Sequence, residues 1–474
     1  MSLKPLAIVF QTQIHTGISL CLSATILVLT TPFARSQPPS TSSNTDLAPA
    51  MEKVMTAVYK PDIPGATVIV VKNGRVIFRK GYGLANLELK TPMRPEMVFR
   101  LCSVTKQFTA AAILMLAEQG KLALDDDITK FFPDYPTAGK KISIENLLTH
   151  TSGIKDYLDK LWPESMRRDF RPDRLIDLFK KEPLESAPGT RESYSNSNYV
   201  LLGAIIEKTS GKEYGRFIED NIFRPLGMKH SYYEGVQDLI PNRVSGYARV
   251  SEGFVNAAYV SMTQLYAAGG LCSSVDDLAL WDAALSSDRL LKQGSVTRMF
   301  TPYKLTDGEV ADYGYGWVIS RFQGRTIASH GGGMPGFTNF VLRMPQDQVY
   351  VAILSNDRTA EVQPEYVANR IAAIAIGKPI PESRVIKLEP KILDTYAGRY
   401  EERADEILTI RREGDSLLAQ GSDGPEFKLY PISDDTFLVK AFDGQLSFVK
   451  DAQGKVTGLI ARHDEQNTRY KKRK

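Results

Sequence analysis

The chain has 474 residues, enough for about two or three domains. Hydrophobic residues make up 43% and charged residues 24%, an ordinary globular balance with ample material for a core. The net charge of +4 comes without a basic domain or stripe, which argues against a nucleic-acid partner. The terminal "RYKKRK" is the one basic cluster; it reads as a solvated tail, with a weak anchor to anionic surfaces as the alternative.

From Pro5 to Ala34 there is no Asp, Glu, Lys or Arg, and Ala34-x-Ser36 offers the small residues that a signal peptidase needs. Residues 1–36 therefore read as a signal peptide, cleaved near Gln37. An uncleaved anchor is the alternative, because the run is long enough to span a bilayer. Residues 37–50 form a linker that opens on the Pro/Ser/Thr-rich "QPPSTSSNTD". A folded domain is expected over 51–378. It begins with "GATVIVVKNGRVIFRKGYG", a hairpin turning on Asn-Gly. Helical periodicity follows at 104–119, "SIENLLTH", "PDRLIDLFKKE", "NYVLLGAIIEKTSG" and "SSVDDLALWDAAL". Strand patterns return at "YGYGWVIS", "RTIASHGG", "GFTNFVLRMP" and "QVYVAILSN", before a last helix in "VQPEYVANRIAAIAI". Strands at both ends around a helical middle predict an α+β domain: one antiparallel sheet built from both ends, flanked by helices, with an all-helical insert. After a linker at 379–390, residues 391–474 read as a small antiparallel β-barrel or sandwich with no helix of credible length.

Ser-x-x-Lys occurs three times. Ser447 and Lys450 lie on a strand pattern, where residues three apart face opposite sides. Ser152 and Lys155 are split by a glycine in a turn-like segment. Ser103 opens a helix, so Lys106 shares its face and the helix start supplies unpaired N–H groups. Capping by Ser103 with a snorkelling Lys106 is the bland alternative. Two further segments tell against it: Tyr194-Ser195-Asn196, the one Tyr-x-Asn of the chain, and His330-Gly331-Gly332.

With these three motifs in this order, the chain resembles the serine β-lactamase and penicillin-binding superfamily, in its branch of class C β-lactamases, D-Ala-D-Ala carboxypeptidases, D-aminopeptidases and esterases. "FRLCSVTKQFTAAAI", "LLTHTSGI", "PGTRESYSNSNYVLLGAIIEKTSG", "AAGGLCSSVDDLALW", "YGYGWV" and "HGGGMPGF" carry the likeness over about residues 50–375. The terminal β region resembles the lipocalin-like barrel that follows this domain in some members.

The resemblance implies that Ser103 is the acylated nucleophile and that Lys106 and Tyr194 share the role of base. Asn196 would orient Lys106 and the substrate amide. His330, standing where many β-lactamases have lysine, would bond the substrate or relay a proton to Tyr194. Gly331 and Gly332 let the substrate backbone approach, and the Gly333 and Ser103 N–H groups would form the oxyanion hole. His150 reads as a structural loop residue. Cys102 and Cys272 flank motifs, so a disulfide between them is one expectation and two buried thiols the other. The implied function is a periplasmic or secreted serine hydrolase acting on a small-molecule or peptide substrate, most naturally D-amino-acid peptides or peptidoglycan fragments. A carboxylesterase or weak β-lactamase is the nearer alternative, and a non-catalytic binding or sensor module the more distant one. No metal, organic cofactor or nucleic acid is implied, and membrane contact would come only through an uncleaved leader. Specificity is expected in segments 155–173 and 247–262.

Overall fold

A computed structural model describes residues 47–161, 165–235, 237–403, 406–422 and 426–473. The expected signal peptide lies outside these residues, as does the linker up to residue 46. Residues 47–50, expected as linker, are already helical, in α1 (Leu47–Val58). Among the described residues no helix is long and apolar enough to cross a membrane.

Strands β1 (Ala66–Lys72) and β2 (Arg75–Tyr82) turn on Asn73 and Gly74, at φ 51° and 70°. That is the positive-φ pair a tight hairpin demands. The later strands are β3 (Val318–Phe322), β4 (Arg325–Met334), β5 (Phe337–Met344) and β6 (Val349–Ser355). They join β1 and β2 in one sheet of order β3-β4-β5-β6-β1-β2. Ala66 pairs with Ser355, which closes the domain across its full length. Both sheet faces are covered, so the "VYVAILS" of β6 is buried at every position. Alternate β1 residues serve different cores. Val68 and Val70 pack with α1 and the C-terminal helix (Pro364–Ala375), and Ile69 packs toward the helical region.

That region centres on α2 (Thr105–Glu118) and α3 (Asn196–Ser210), both buried over most of their length. Phe108 of α2 stacks on Trp281 at 4.3 Å. The helix pattern expected over 104–119 resolves into a 3₁₀ turn, Cys102–Val104, running into α2. Two strand expectations change. In "YGYGWVIS" the strand starts only at Val318, because Gly314 and Gly316 press against backbone at Met299 and Lys106, where a Cβ would lie 2.2 and 2.8 Å away. Conversely, β4 runs straight through the glycines to Met334, and the turn falls at Pro335-Gly336.

Residues 398–472 form a closed eight-stranded barrel whose neighbours follow chain order, with Tyr400 pairing to Lys472 across the seam. A seven-residue helix, Pro390–Tyr396, precedes it where none was expected. It is too short for a periodic signal, yet Leu393 and Tyr396 enter the barrel core, and Tyr396 stacks on Phe448 at 4.3 Å. The barrel docks through half-buried charges on the Pro364–Ala375 helix: Arg370 with Asp443 at 2.5 Å, and Glu365 with His463 at 2.9 Å. Ser320 of β3 adds a bond to Asp464 at 2.8 Å.

Burial opposes a charge on His463, but Asp464, Glu365 and Asp443 outweigh it and hold its pKa at about 9. A histidine with a raised folded pKa stabilises fully below its unfolded value of about 6.5, and that contribution is lost as pH rises through 9. The thermal stability margin of wild type over His463→Gln should therefore shrink between about pH 6.5 and 9. A margin independent of pH would contradict the assignment.

Candidate active site

Helix α2 carries Lys106 into the interior, where its side chain is fully buried. Its Nζ meets Ser103 Oγ at 3.1 Å, Asn196 Oδ1 at 2.8 Å and the Ala268 carbonyl at 2.9 Å. The rings of Tyr194 and Tyr199 lie 4.7 and 5.5 Å from it. Burial outweighs the distant pull of Asp156 and lowers the amine's pKa to about 7. A neutral amine has two N–H bonds and one lone pair. Asn196 Oδ1 and the Ala268 carbonyl can only accept, so they take the N–H bonds and leave the lone pair to the Ser103 hydroxyl. The preceding 3₁₀ turn helps, because three residues per turn brings positions 103 and 106 into line.

Asn196 is itself fixed. Its Nδ2 donates to Asp156 Oδ2 at 2.8 Å, and its backbone N–H reaches the same oxygen at 3.2 Å. Both ends of the amide are engaged, so Asn196 is fixed to orient Lys106, and its Nδ2 keeps a second N–H beyond the one given to Asp156. Tyr194 hydrogen-bonds Ser103; burial raises its pKa above the ordinary tyrosine value despite that bond, so the phenol stays protonated. His330 Nδ1 lies 2.6 Å from the Gly331 carbonyl, which makes it the protonated nitrogen. Nε2 then accepts from the Tyr313 hydroxyl at 2.7 Å. Burial first, and then Lys106, lower the His330 pKa to about 3, so the ring is neutral. Its ring centre stands 6.2 Å from that of Tyr194, with Tyr313 beside both.

His150, expected as a structural loop residue, packs against the Tyr194 and Tyr199 rings. It is fully buried 4.3 Å from the Tyr194 ring, and its Nδ1 accepts from the Ser195 N–H at 3.2 Å. Desolvation drives its pKa well below the usual histidine range. The other Ser-x-x-Lys serines are occupied elsewhere: Ser152 donates to Asn198 Oδ1 at 2.6 Å, and Ser447 pairs with Thr436 in the barrel.

Gly332 packs against the nucleophile turn so closely that a Cβ would lie 2.3 Å from the Leu101 carbonyl oxygen and 3.3 Å from Ser103 N. Gly331 is exposed, and Gly333 follows on the same strand. Cys102 and Cys272 are both free thiols, so the disulfide expectation is not met. Cys272 pairs with Arg100 in a short strand and turns its thiol to Glu234 at 3.1 Å, whereas the Cys102 thiol faces the Arg100 carbonyl. Burial pushes the Cys102 pKa up to about 12. Three non-glycine residues with positive φ surround the site: Cys102 (54°), His150 (57°) and Tyr266 (41°). Cys102 precedes the serine, His150 braces Tyr194, and Tyr266 opens the turn that delivers the Ala268 carbonyl. Such conformations cost about 1–3 kcal/mol each and persist where surrounding packing fixes them. Among the described residues no cluster of three His, Cys, Asp or Glu side chains is placed to hold a metal.

A serine, a buried lysine and a tyrosine in this relation, beside a sheet built from both ends of the domain, define a class. Residues 47–376 match the family described as Beta-lactamase, and the chain belongs to it: it is a serine hydrolase of the β-lactamase and penicillin-binding protein fold. Residues 382–472 match a second family, described as a domain of unknown function (DUF3471). A penicillin-binding protein of Bacillus subtilis (strain 168) is 30% identical over 408 residues, 81% of this chain and 89% of its own. A D-aminopeptidase of Brucella canis is 30% identical over 416 residues, 79% of this chain and 77% of its own. Among solved structures, the octameric penicillin-binding protein homologue of Pyrococcus abyssi superposes with a TM-score of 0.64 at 27% identity. It covers 90% of this chain and 99% of that one.

Gly332→Ala gives a direct test of the packing. The added methyl meets backbone that cannot rotate away, so the Leu101–Ser103 turn must shift. Stability should fall by about 1–3 kcal/mol, and reaction at Ser103 should drop by about 100-fold. Unchanged labelling of Ser103 by an active-site probe would show that this contact does not set the nucleophile.

Proposed function

We propose that the chain is an exported hydrolase that cleaves amide bonds beside D-amino acids through an acyl-enzyme on Ser103. Small peptides or peptidoglycan fragments are its substrates. The observation that carries this reading is the Lys106 amine, lowered to about 7 with its lone pair on the Ser103 hydroxyl. A serine hydroxyl is a weak nucleophile until a neighbouring base takes its proton. In this reading Ser103 Oγ attacks the carbonyl carbon and its proton passes to Lys106. Tyr194 then gives its phenolic proton to the departing nitrogen and regains one from Lys106. The N–H groups of Ser103 and Gly333 hold the oxyanion, and water releases the acyl group by the same route.

The name of one relative, a D-aminopeptidase, supports D-amino-acid chemistry. The neutral His330 supports a peptidase or esterase over an efficient β-lactamase, because it brings no cation to a β-lactam carboxylate. The uncharged leader of residues 5–34 supports export.

A fluorescent fluorophosphonate should label wild type and leave Ser103→Ala unlabelled. Lys106→Ala should slow labelling by about 100- to 10,000-fold, the range for loss of a general base. With wild type the rate should rise with pH through about 7, because the protonated amine below that value cannot accept the serine proton. Equal labelling of wild type and Ser103→Ala would overturn the reading.

A further inference from the structure

Glu234 is buried against two cations, Arg100 and Arg243. Glu192 is buried as well, yet among the described residues no cation pairs with it. It stands two residues before Tyr194, between an exposed Arg191 and a half-buried Ser193. The Ser193 N–H donates to the His150 carbonyl at 2.8 Å, which holds this segment beside the site. What the Glu192 carboxyl meets is backbone: it accepts from the N–H groups of Asp312 and Tyr313. The rest of that loop is bonded elsewhere. The Asp312 carbonyl accepts from the Ile319 N–H at 2.7 Å, the Tyr313 carbonyl from the Tyr303 N–H at 3.3 Å, and the Gly314 N–H reaches the Trp317 carbonyl at 2.8 Å. Buried N–H groups need an acceptor, and for these two it is a side chain from a distant part of the chain.

Tyr313, held in this way, touches several groups of the site. Its hydroxyl donates to His330 Nε2 at 2.7 Å. Its ring meets those of His150 at 4.6 Å and Tyr194 at 6.1 Å, both edge-on. Tyr194 in turn hydrogen-bonds Ser103. One side chain therefore joins the segment that carries Tyr194 to the loop that carries Tyr313. The titratable groups facing Glu192 are Asp312 and the Tyr313 phenol. Burial first, and then Asp312, outweigh the two N–H groups and raise the Glu192 pKa to about 8, so its carboxyl is neutral at pH 7. Burial, with Asp464 of the barrel adding to it, raises Asp312 as well, against a hydrogen bond from Gln466.

We propose that Glu192 is a positioning residue of this active site: its buried carboxyl clamps the Asp312–Tyr313 backbone to the Tyr194 segment and so sets the Tyr313 hydroxyl on His330. The inference rests on the acyl-enzyme reading above and adds to it a residue that acts only through Tyr313 and Tyr194.

The test reads the Nε2 resonance of His330 in protein carrying ¹⁵N-labelled histidine, assigned through His330→Gln, together with fluorophosphonate labelling of Ser103. Tyr313→Phe removes the hydroxyl and marks where the resonance falls without it. Glu192→Ala should move the resonance to that position and slow labelling by about 10- to 100-fold, as a small misplacement of a reacting group does. Glu192→Gln keeps a carbonyl acceptor for the two N–H groups, so both readouts should return close to wild type. It also cannot ionise. A carboxyl with a raised folded pKa gives stability that is full below its ordinary value of 4.5 and lost as pH rises through about 8. The thermal stability of Glu192→Gln relative to wild type should therefore grow over that window, a readout that stands even where Glu192→Ala fails to fold. A resonance or a labelling rate unchanged in folded Glu192→Ala, a Glu192→Gln that moves the resonance as far as Tyr313→Phe, or a stability margin flat with pH overturns the role of Glu192 and leaves the hydrolase reading standing. Absence of label on wild type removes the hydrolase reading, and this inference with it.

Discussion

A lysine amine without a carboxylate partner, deep in an apolar interior, is the constraint on which the rest of this structure turns. Lys106 meets groups from three parts of the chain: two acceptors, Asn196 Oδ1 at the start of α3 and the Ala268 carbonyl, and the Ser103 hydroxyl on its own turn, which faces the lone pair. Removing an ammonium from water is costly enough that a buried lysine tends to neutralise. Here that cost is turned to use, because the neutral amine is the form that can take a proton from serine. The arrangement needs a rigid mount, and α2 and α3, buried over most of their length, provide it.

The second layer exists to hold those acceptors. Asp156 fixes the Asn196 amide, His150 braces the ring and the backbone around Tyr194, and the Gly331 carbonyl settles the tautomer of His330, with Tyr313 on its other nitrogen. Backbone strain gathers at Cys102, His150 and Tyr266, each one step from a group the amine or the serine depends on. Strain held this close to reacting groups trades local stability for preorganisation, and the large hydrophobic core makes it sustainable.

Much of this was legible in the sequence, for identifiable reasons. The two-ended sheet followed from strand patterns on either side of a helical stretch. Ser103, Lys106, Tyr194, Asn196 and His330 stood out because each sits in a short motif with defined spacing. What was missed leaves no such mark. The Ala268 carbonyl is backbone, and any residue type could supply it. Asp156 lies in a stretch read as variable, and Tyr313 in one read as a strand. The disulfide expectation failed because the proximity of two motifs says nothing about where two thiols point. The helix before the barrel was too short to produce periodicity.

The central claim is that Lys106 is neutral near physiological pH and set as the base for Ser103. Its most direct test is an NMR titration of protein carrying ¹³C-labelled lysine side chains, with the Lys106 resonance assigned through Lys106→Arg. The account predicts a titration midpoint at about 7, well below the ordinary lysine value of about 10.4. A Lys106 resonance that titrates with the surface lysines would contradict it, for the amine would then be an ammonium with no lone pair to offer.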